Sequence, residues 1–192
     1  GTASYEGADA IIQHIRDNNL QLEWLIETHA HADHLSASPY IKEALGGKIA
    51  IGEHIDAVQK TFSKLFNVGS DFACDGSQFD HLFKDNEAYQ IGNLTGLAIY
   101  TPGHTPACMT HLIGDAAFVG DTIFLPDAGT ARADFPGGDA RVLYRSIKKI
   151  LSLPKNTRLF MCHDYSDERE LEYESTVEEE LQKNIHVNTG ID

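Results

Sequence analysis

Four potential metal ligands fall within six residues of this 192-residue chain, at His29-Ala30-His31-Ala32-Asp33-His34. Imidazole nitrogens and a carboxylate suit a divalent transition metal such as zinc, iron or manganese, and the small alanines between them let the side chains converge. Short spacing also lowers the entropy lost in gathering the ligands. At ordinary His and Asp frequencies such a pattern arises by chance with a probability on the order of one in ten thousand in a chain this long, which makes solvated loop histidines the weaker reading. Further ligand types stand at Thr101-Pro102-Gly103-His104-Thr105, Val119-Gly120-Asp121 and Met161-Cys162-His163-Asp164. Each is weak alone, and with the first motif they point to a metal centre. His14, His54, His81, His111 and His186 join no motif and read as surface or helix-face residues.

The elements that must carry these ligands alternate between helix and strand. Ala8, Ile11, Ile12 and Ile15 form one helical stripe, and a strand from Leu22 to Ile26 runs directly into the histidines, placing them past its carboxyl end. Ser38-Pro39 opens a second helix that Gly46-Gly47 stops, Lys48 to Gly52 reads as a buried strand, and His54 to Phe66 as a helix with Ile55, Val58, Phe62 and Leu65 on one side. After a polar stretch from Asn67 to Asp85, strands are predicted near Ala88 to Ile91, Leu94 to Tyr100, Cys108 to Ile113 and Ala116 to Val119, with hairpin turns at Gly92-Asn93 and Gly114-Asp115. Asp139 caps a helix whose Leu143, Ile147, Ile150 and Leu151 face inward, Arg158 to Cys162 returns as a strand, and Val177 to Asn184 forms a thin, Glu-rich terminal helix. The alternation fits sheets covered by helices, with chemistry on the loops at strand ends.

Composition narrows the partners. With 42% hydrophobic and 23% charged residues the chain suits one globular domain. Its net charge of −14 repels phosphate backbones and anionic lipid headgroups, so neither nucleic acid nor a membrane is expected as a partner. No apolar run approaches a bilayer span. Three widely spaced cysteines, Cys74, Cys108 and Cys162, favour a reducing cytoplasm over a disulfide framework.

The ordered set His-x-His-x-Asp-His, Gly-His, Gly-Asp and a late His resembles the metallo-β-lactamase fold superfamily. The resemblance implies an α/β fold, an αββα sandwich with a metal site at one edge, and seven ligand positions: His29, His31 and His104 for one metal, Asp33, His34 and His163 for another, with Asp121 able to bridge. A finer resemblance, to persulfide dioxygenases and their bacterial β-lactamase-like members, rests on Glu27 to Ser38, Thr101 to Thr110, Gly120-Asp121-Thr122, Cys162 to Tyr165 and above all Gly129 to Ala140. It implies one iron(II) per chain held by His29, His104 and Asp121, with His31, Asp33, His34 and His163 as outer groups or a second-metal set. The implied reaction converts glutathione persulfide, dioxygen and water to glutathione and sulfite, with metal-centred catalysis and no separate protein nucleophile. Arg132 and Tyr165 match substrate-pocket positions. For Arg132 a structural pair with Asp134 has equal weight, and Tyr165 has packing as its plainer role. Cys108 and Cys162 lie close to the proposed ligands, where a thiolate could bind metal or react with persulfide, with buried inert thiols the weightier reading, and Asp127 reads as a turn residue.

Superfamily members begin with strands ahead of the first helix and bacterial relatives continue past Val187. The expectation is therefore a single domain over residues 1–192 that is incomplete at both ends and lacks N-terminal strands. Ala133 stands where bacterial relatives often carry cysteine. Two other functions fit the ligand set. A glyoxalase II-like thioester hydrolase would use two metals, zinc among them, although Leu35-Ser36-Ala37 replaces the Thr-Gly-Gly that family favours. A non-catalytic metal- or thiol-binding module would keep the ligands and lose turnover. A homodimer is an admissible assembly for any of the three.

Overall fold

Trp24, Phe83 and Tyr89 pack ring against ring at 5.5 and 5.7 Å from the indole, and the sandwich is built around them. The computed structural model describes residues 4–31, 33–34, 36–69, 71–166, 169–188 and 190. Its order is α1 (Glu6–Asp17), β1 (Trp24–Ile26), α2 (Ser38–Leu45), β2 (Lys48–Gly52), α3 (Ile55–Leu65), β3 (His81–Phe83), β4 (Glu87–Ile91), β5 (Leu94–Tyr100), β6 (Met109–Ile113), β7 (Ala116–Phe118), α4 (Ala140–Ile150), β8 (Arg158–Phe160), β9 (Glu174–Thr176) and α5 (Val177–Lys183).

Two sheets result. Strands β1, β2 and β3 are all parallel, because α2 and α3 supply the crossovers that parallel neighbours require. The second sheet runs in the order β4-β5-β6-β7-β8-β9. Two-residue turns join β4 to β5 and β6 to β7 as antiparallel pairs, whereas α4 carries the chain over to make β8 parallel to β7. Ala50 and Phe83 of the first sheet meet Tyr89, Ala98 and Met109 of the second in one apolar layer. Ala8, Ile12 and Ile41 pack α1 and α2 on Leu25, and Ile55 and Val58 pack α3 on Ile51. On the other side Leu143, Ile147 and Ile150 of α4 and Val177 share a core with Ala117 and Leu159. The layers are helix, sheet, sheet, helix, as the resemblance implies.

Local chemistry explains the helix starts. Pro39 stands in the first turn of α2. Asp139 caps α4 by accepting hydrogen bonds from Arg141 N at 2.8 Å and Val142 N at 2.9 Å. Thr176 likewise caps α5 by accepting from Glu179 N.

Several expectations need correction. Ile11 and Leu65, assigned to inward stripes, are 52% and 59% exposed, because α1 and α3 each turn a narrower face to the sheet. The polar stretch from Asn67 to Asp85 contains β3, and β9 lies in a segment that was not expected to be a strand. His111 is not on a surface: it is buried on β6, where Tyr89 Oη stands 3.1 Å from its Nδ1 and burial lowers its pKa to about 4.

Glu180 is fully buried on α5 and accepts a hydrogen bond from Asn184 Nδ2 at 2.7 Å. Burial pushes its carboxyl up to about 7 from an ordinary 4.5. A folded-state pKa above the unfolded one gives stability that is complete at low pH and is lost as pH rises through the folded value. Glu180→Gln is therefore expected to raise the melting temperature at pH 8, by roughly 2 kcal/mol or about 4–8 °C, and to leave it near wild type at pH 5. Thermal melts at the two pH values check this, and equal shifts at both would contradict it.

Candidate metal centre

The ligand-bearing loops all leave the carboxyl ends of strands. His29 follows β1, His104 follows β5, Asp121 follows β7 and His163 follows β8. The first loop is locked where the sheets meet: Glu27 N donates to Ala50 O at 2.8 Å, and Met109 N at the start of β6 donates to Thr28 O at 3.0 Å. The Glu27 carboxylate then closes the loop by accepting from the hydroxyls of Ser36 and Ser38.

Two glycines set the approach of the other loops. Gly103 has φ +133° and lies so close to α4 that an added Cβ would collide with the backbone of Leu143. Gly120 has φ +54°, and its Cβ would stand 2.8 Å from Thr28 Cβ. Each immediately precedes a ligand, so the backbone proximity that only glycine allows becomes the position of His104 and of Asp121.

The seven side chains expected as ligands converge. Asp121 Oδ2 is the hub, with Nε2 of His163, His34, His104 and His29 at 3.3, 3.4, 3.6 and 3.8 Å. His31 Nδ1 faces His104 Nε2 at 2.9 Å, and His34 Nε2 faces His163 Nε2 at 3.1 Å. Asp33 Oδ2 lies 3.7 Å from His163 Nε2. Ligand atoms of His29, His31 and His104 lie within 4.8 Å of one another, as do those of Asp33, His34, Asp121 and His163.

This donor set fits a cation. His29 Nε2 and Asp121 Oδ1 are buried without a hydrogen-bond partner, an arrangement that is costly unless something else engages them. His104 Nδ1 is 2.7 Å from the Arg132 carbonyl, which only accepts, so Nδ1 carries the proton and the Nε2 lone pair faces the cluster. Burial pushes the His29 imidazole down to about 3 and lowers that of His31, leaving both neutral and able to ligate. The hydrogen bond to Asp121 raises His34. Burial would raise Asp121, yet the His34 hydrogen bond and the surrounding imidazoles outweigh it and hold the carboxyl low.

The remaining candidates are distributed around this cluster. Tyr165 is 59% exposed and stacks on His163 at 5.3 Å. Arg132 is exposed and forms a two-point pair with Asp134 at 2.7 and 3.0 Å, and it also lines the cavity. Its carbonyl, which sequence reasoning overlooked, orients His104. Also overlooked was Arg169, which ties Asp164, beside His163, to Asp127. Asp127 is indeed in a turn. Cys108 is buried, and burial pushes its thiol up to about 11. Cys162 is not buried as expected: it presents surface to solvent, although packing around its sulfur and then the Asp121 carboxylate push the thiol up to about 12. Ala32 of the first motif and Leu35 just after it lie outside the described residues.

Residues 1–163 match the metallo-beta-lactamase superfamily. The chain belongs to that superfamily. A probable metallo-hydrolase of Burkholderia pseudomallei is 53% identical over 202 residues, covering 100% of this chain and 69% of the relative. A protein named Glyoxylase B2 from Dictyostelium discoideum is 47% identical over 194 residues, covering 100% of this chain and 66% of the relative. The human mitochondrial persulfide dioxygenase ETHE1 is 32% identical over 163 residues, covering 83% of this chain and 56% of the relative. The chain thus spans about two thirds or less of these last two. Among solved structures, ETHE1 from Myxococcus xanthus superposes with a TM-score of 0.75 at 26% identity, covering 95% of this chain and 70% of that one.

If close backbone approach positions the metallo-beta-lactamase ligands, Gly120→Ala is expected to cost about 1–3 kcal/mol and to lower metal content at the same time. Gly7→Ala, in α1 with open space around it, is the control and is expected to raise stability by about 0.4–1 kcal/mol and leave metal content unchanged. Thermal melts and elemental analysis of the two variants decide, and full metal content in Gly120→Ala would overturn the positioning argument.

Proposed function

We propose that the protein is an iron(II)-dependent persulfide dioxygenase, converting the persulfide of a low-molecular-weight thiol, with glutathione persulfide as the reference substrate, together with dioxygen and water to the thiol and sulfite. The observation that carries this reading is burial: His29, His104 and Asp121, at 2%, 5% and 4% exposure, are the three buried members of the cluster, whereas His31, His34 and His163 are half-buried and Asp33 is exposed. Two imidazoles and one carboxylate form the ligand set of non-haem iron oxygenases, which leaves positions for substrate and dioxygen. Iron(II) held there would supply the redox chemistry that no side chain of this chain offers.

The protein's own residues then orient and protect. His34 and His163 fix the Asp121 carboxylate through Oδ2, and the Arg132 carbonyl fixes the tautomer of His104. Arg132 and Tyr165 stand on the cavity wall that a substrate passes. The Cys108 thiol, held protonated, takes no part as a nucleophile. Likeness to the persulfide dioxygenases supports the reading. With its cysteines free and its surface acidic, we place the enzyme in a reducing cytoplasm, without nucleic-acid partners. Among the described residues no helix is long and apolar enough to cross a membrane.

One observation favours a second reading. The seven ligands also divide into two sets, each compact enough for its own ion, which suits a two-metal thioester hydrolase, and the relative named Glyoxylase B2 is consistent with it.

Metal analysis of anaerobically purified protein, coupled to oxygen consumption with glutathione persulfide, separates the two. About one iron per chain with oxygen uptake and sulfite release is expected, and two zincs with no uptake would transfer the assignment to the hydrolase. His104→Ala and Asp121→Ala are each expected to lose iron and uptake together, so wild-type iron content in either would refute the ligand assignment.

A further inference from the structure

The cavity that opens onto the metal ligands measures about 1030 Å³, and its walls are mismatched to a charged tripeptide. Phe62, Phe66, Phe72, Phe79, Phe124 and Phe135 line it, while His31, Asp33, His104 and Asp121 form the part next to the cluster. Phe66, Phe72 and Phe135 are 69%, 43% and 39% exposed. Several large apolar side chains turned to solvent around one cavity mark a surface that a ligand covers.

Away from the ligand cluster and the exposed Tyr165, the polar side chains on the same wall are already engaged. Gln59 Nε2 donates to Gln78 Oε1, Gln78 Nε2 donates to Ala73 O, and Ser63 meets the Cys74 thiol. Thr130 bonds His186. Among the described residues Arg132 is the one Lys or Arg on this wall, and Asp134 holds it at two points. A glutathione carboxylate entering here would have to compete with Asp134 for the one guanidinium on the wall, whereas an alkyl or aryl group would gain from covering the phenylalanines.

We propose that this cavity binds an apolar alkyl or aryl body of the substrate, so that the enzyme acts on persulfides of apolar thiols in preference to glutathione persulfide. The sulfur chemistry rests on the dioxygenase reading above; recognition of the apolar body does not.

Titration calorimetry with two unreactive thioethers, hexyl methyl sulfide and S-methylglutathione, tests the recognition directly on the purified protein. The hexyl probe is expected to bind at least about tenfold more tightly. Phe66→Ser and Phe72→Ser are each expected to weaken it by about tenfold without changing metal content, and Phe66→Leu to restore it. Equal or tighter binding of S-methylglutathione, or unchanged hexyl binding in both serine variants, would overturn the proposal. Oxygen uptake with hexyl persulfide and glutathione persulfide then separates the two readings. A kcat/KM ratio above about ten for the hexyl substrate supports both, and a preference for glutathione persulfide removes the apolar specificity while keeping the dioxygenase. No uptake with either, alongside tight hexyl binding, removes the dioxygenase and keeps the apolar site.

Discussion

Asp121 places one carboxylate oxygen within 3.3 to 3.8 Å of four imidazole nitrogens, at a position only 4% exposed. A buried carboxylate is costly unless it is well paired, and the four histidines that pair with it come from the loops after three different strands. The loops after β1, β5, β7 and β8 must therefore end within a few ångströms of one point. That demand fixes how the two sheets sit relative to each other.

The scaffold meets it with contacts that are mostly main chain. The Met109 N to Thr28 O hydrogen bond stitches the end of the first sheet to the start of β6, immediately before His29. Gly120 lies against the same Thr28, and Gly103 lies against the start of α4, whose Asp139 N donates to Gly103 O. Helix α4 is itself fixed by its Asp139 cap and by Leu143, Ile147 and Ile150 in the core. Packing energy far from the metal ligands is in this way converted into ligand position.

Wherever the information was local, it was legible in the sequence. The ligand motifs, the Asp139 cap, the two hairpin turns and the helical stripe of α4 each lie within one short window, and the structure places most of them within a residue or two. Long-range features left little trace. His81-Leu82-Phe83 is a strand because β2 offers it a parallel partner and Trp24 a neighbouring ring, neither visible from its polar flanks. His111 is buried because its alternate position on β6 faces the inter-sheet layer beside Phe83 and Tyr89. The Arg132 carbonyl that orients His104 is a main-chain atom, to which residue identity is nearly silent. The phenylalanine wall leaves no local signal for a related reason, since its members come from α3, from the stretch after it and from the loops beyond β7, and share no periodicity.

Distance along the chain gives the cluster a further consequence. His34 and His163 are 129 residues apart and touch through their ring nitrogens, and β8, which delivers His163, pairs with β7 only after α4 has crossed over. During synthesis from the amino terminus, the His29 to His34 segment emerges first and then waits for the second sheet before its ligand partners exist. The complete site is consequently assembled late in biogenesis. The two halves of the ligand set therefore meet only when the β7–β8 edge has closed onto the loop after β1, so any change that loosens the crossover through α4 separates them.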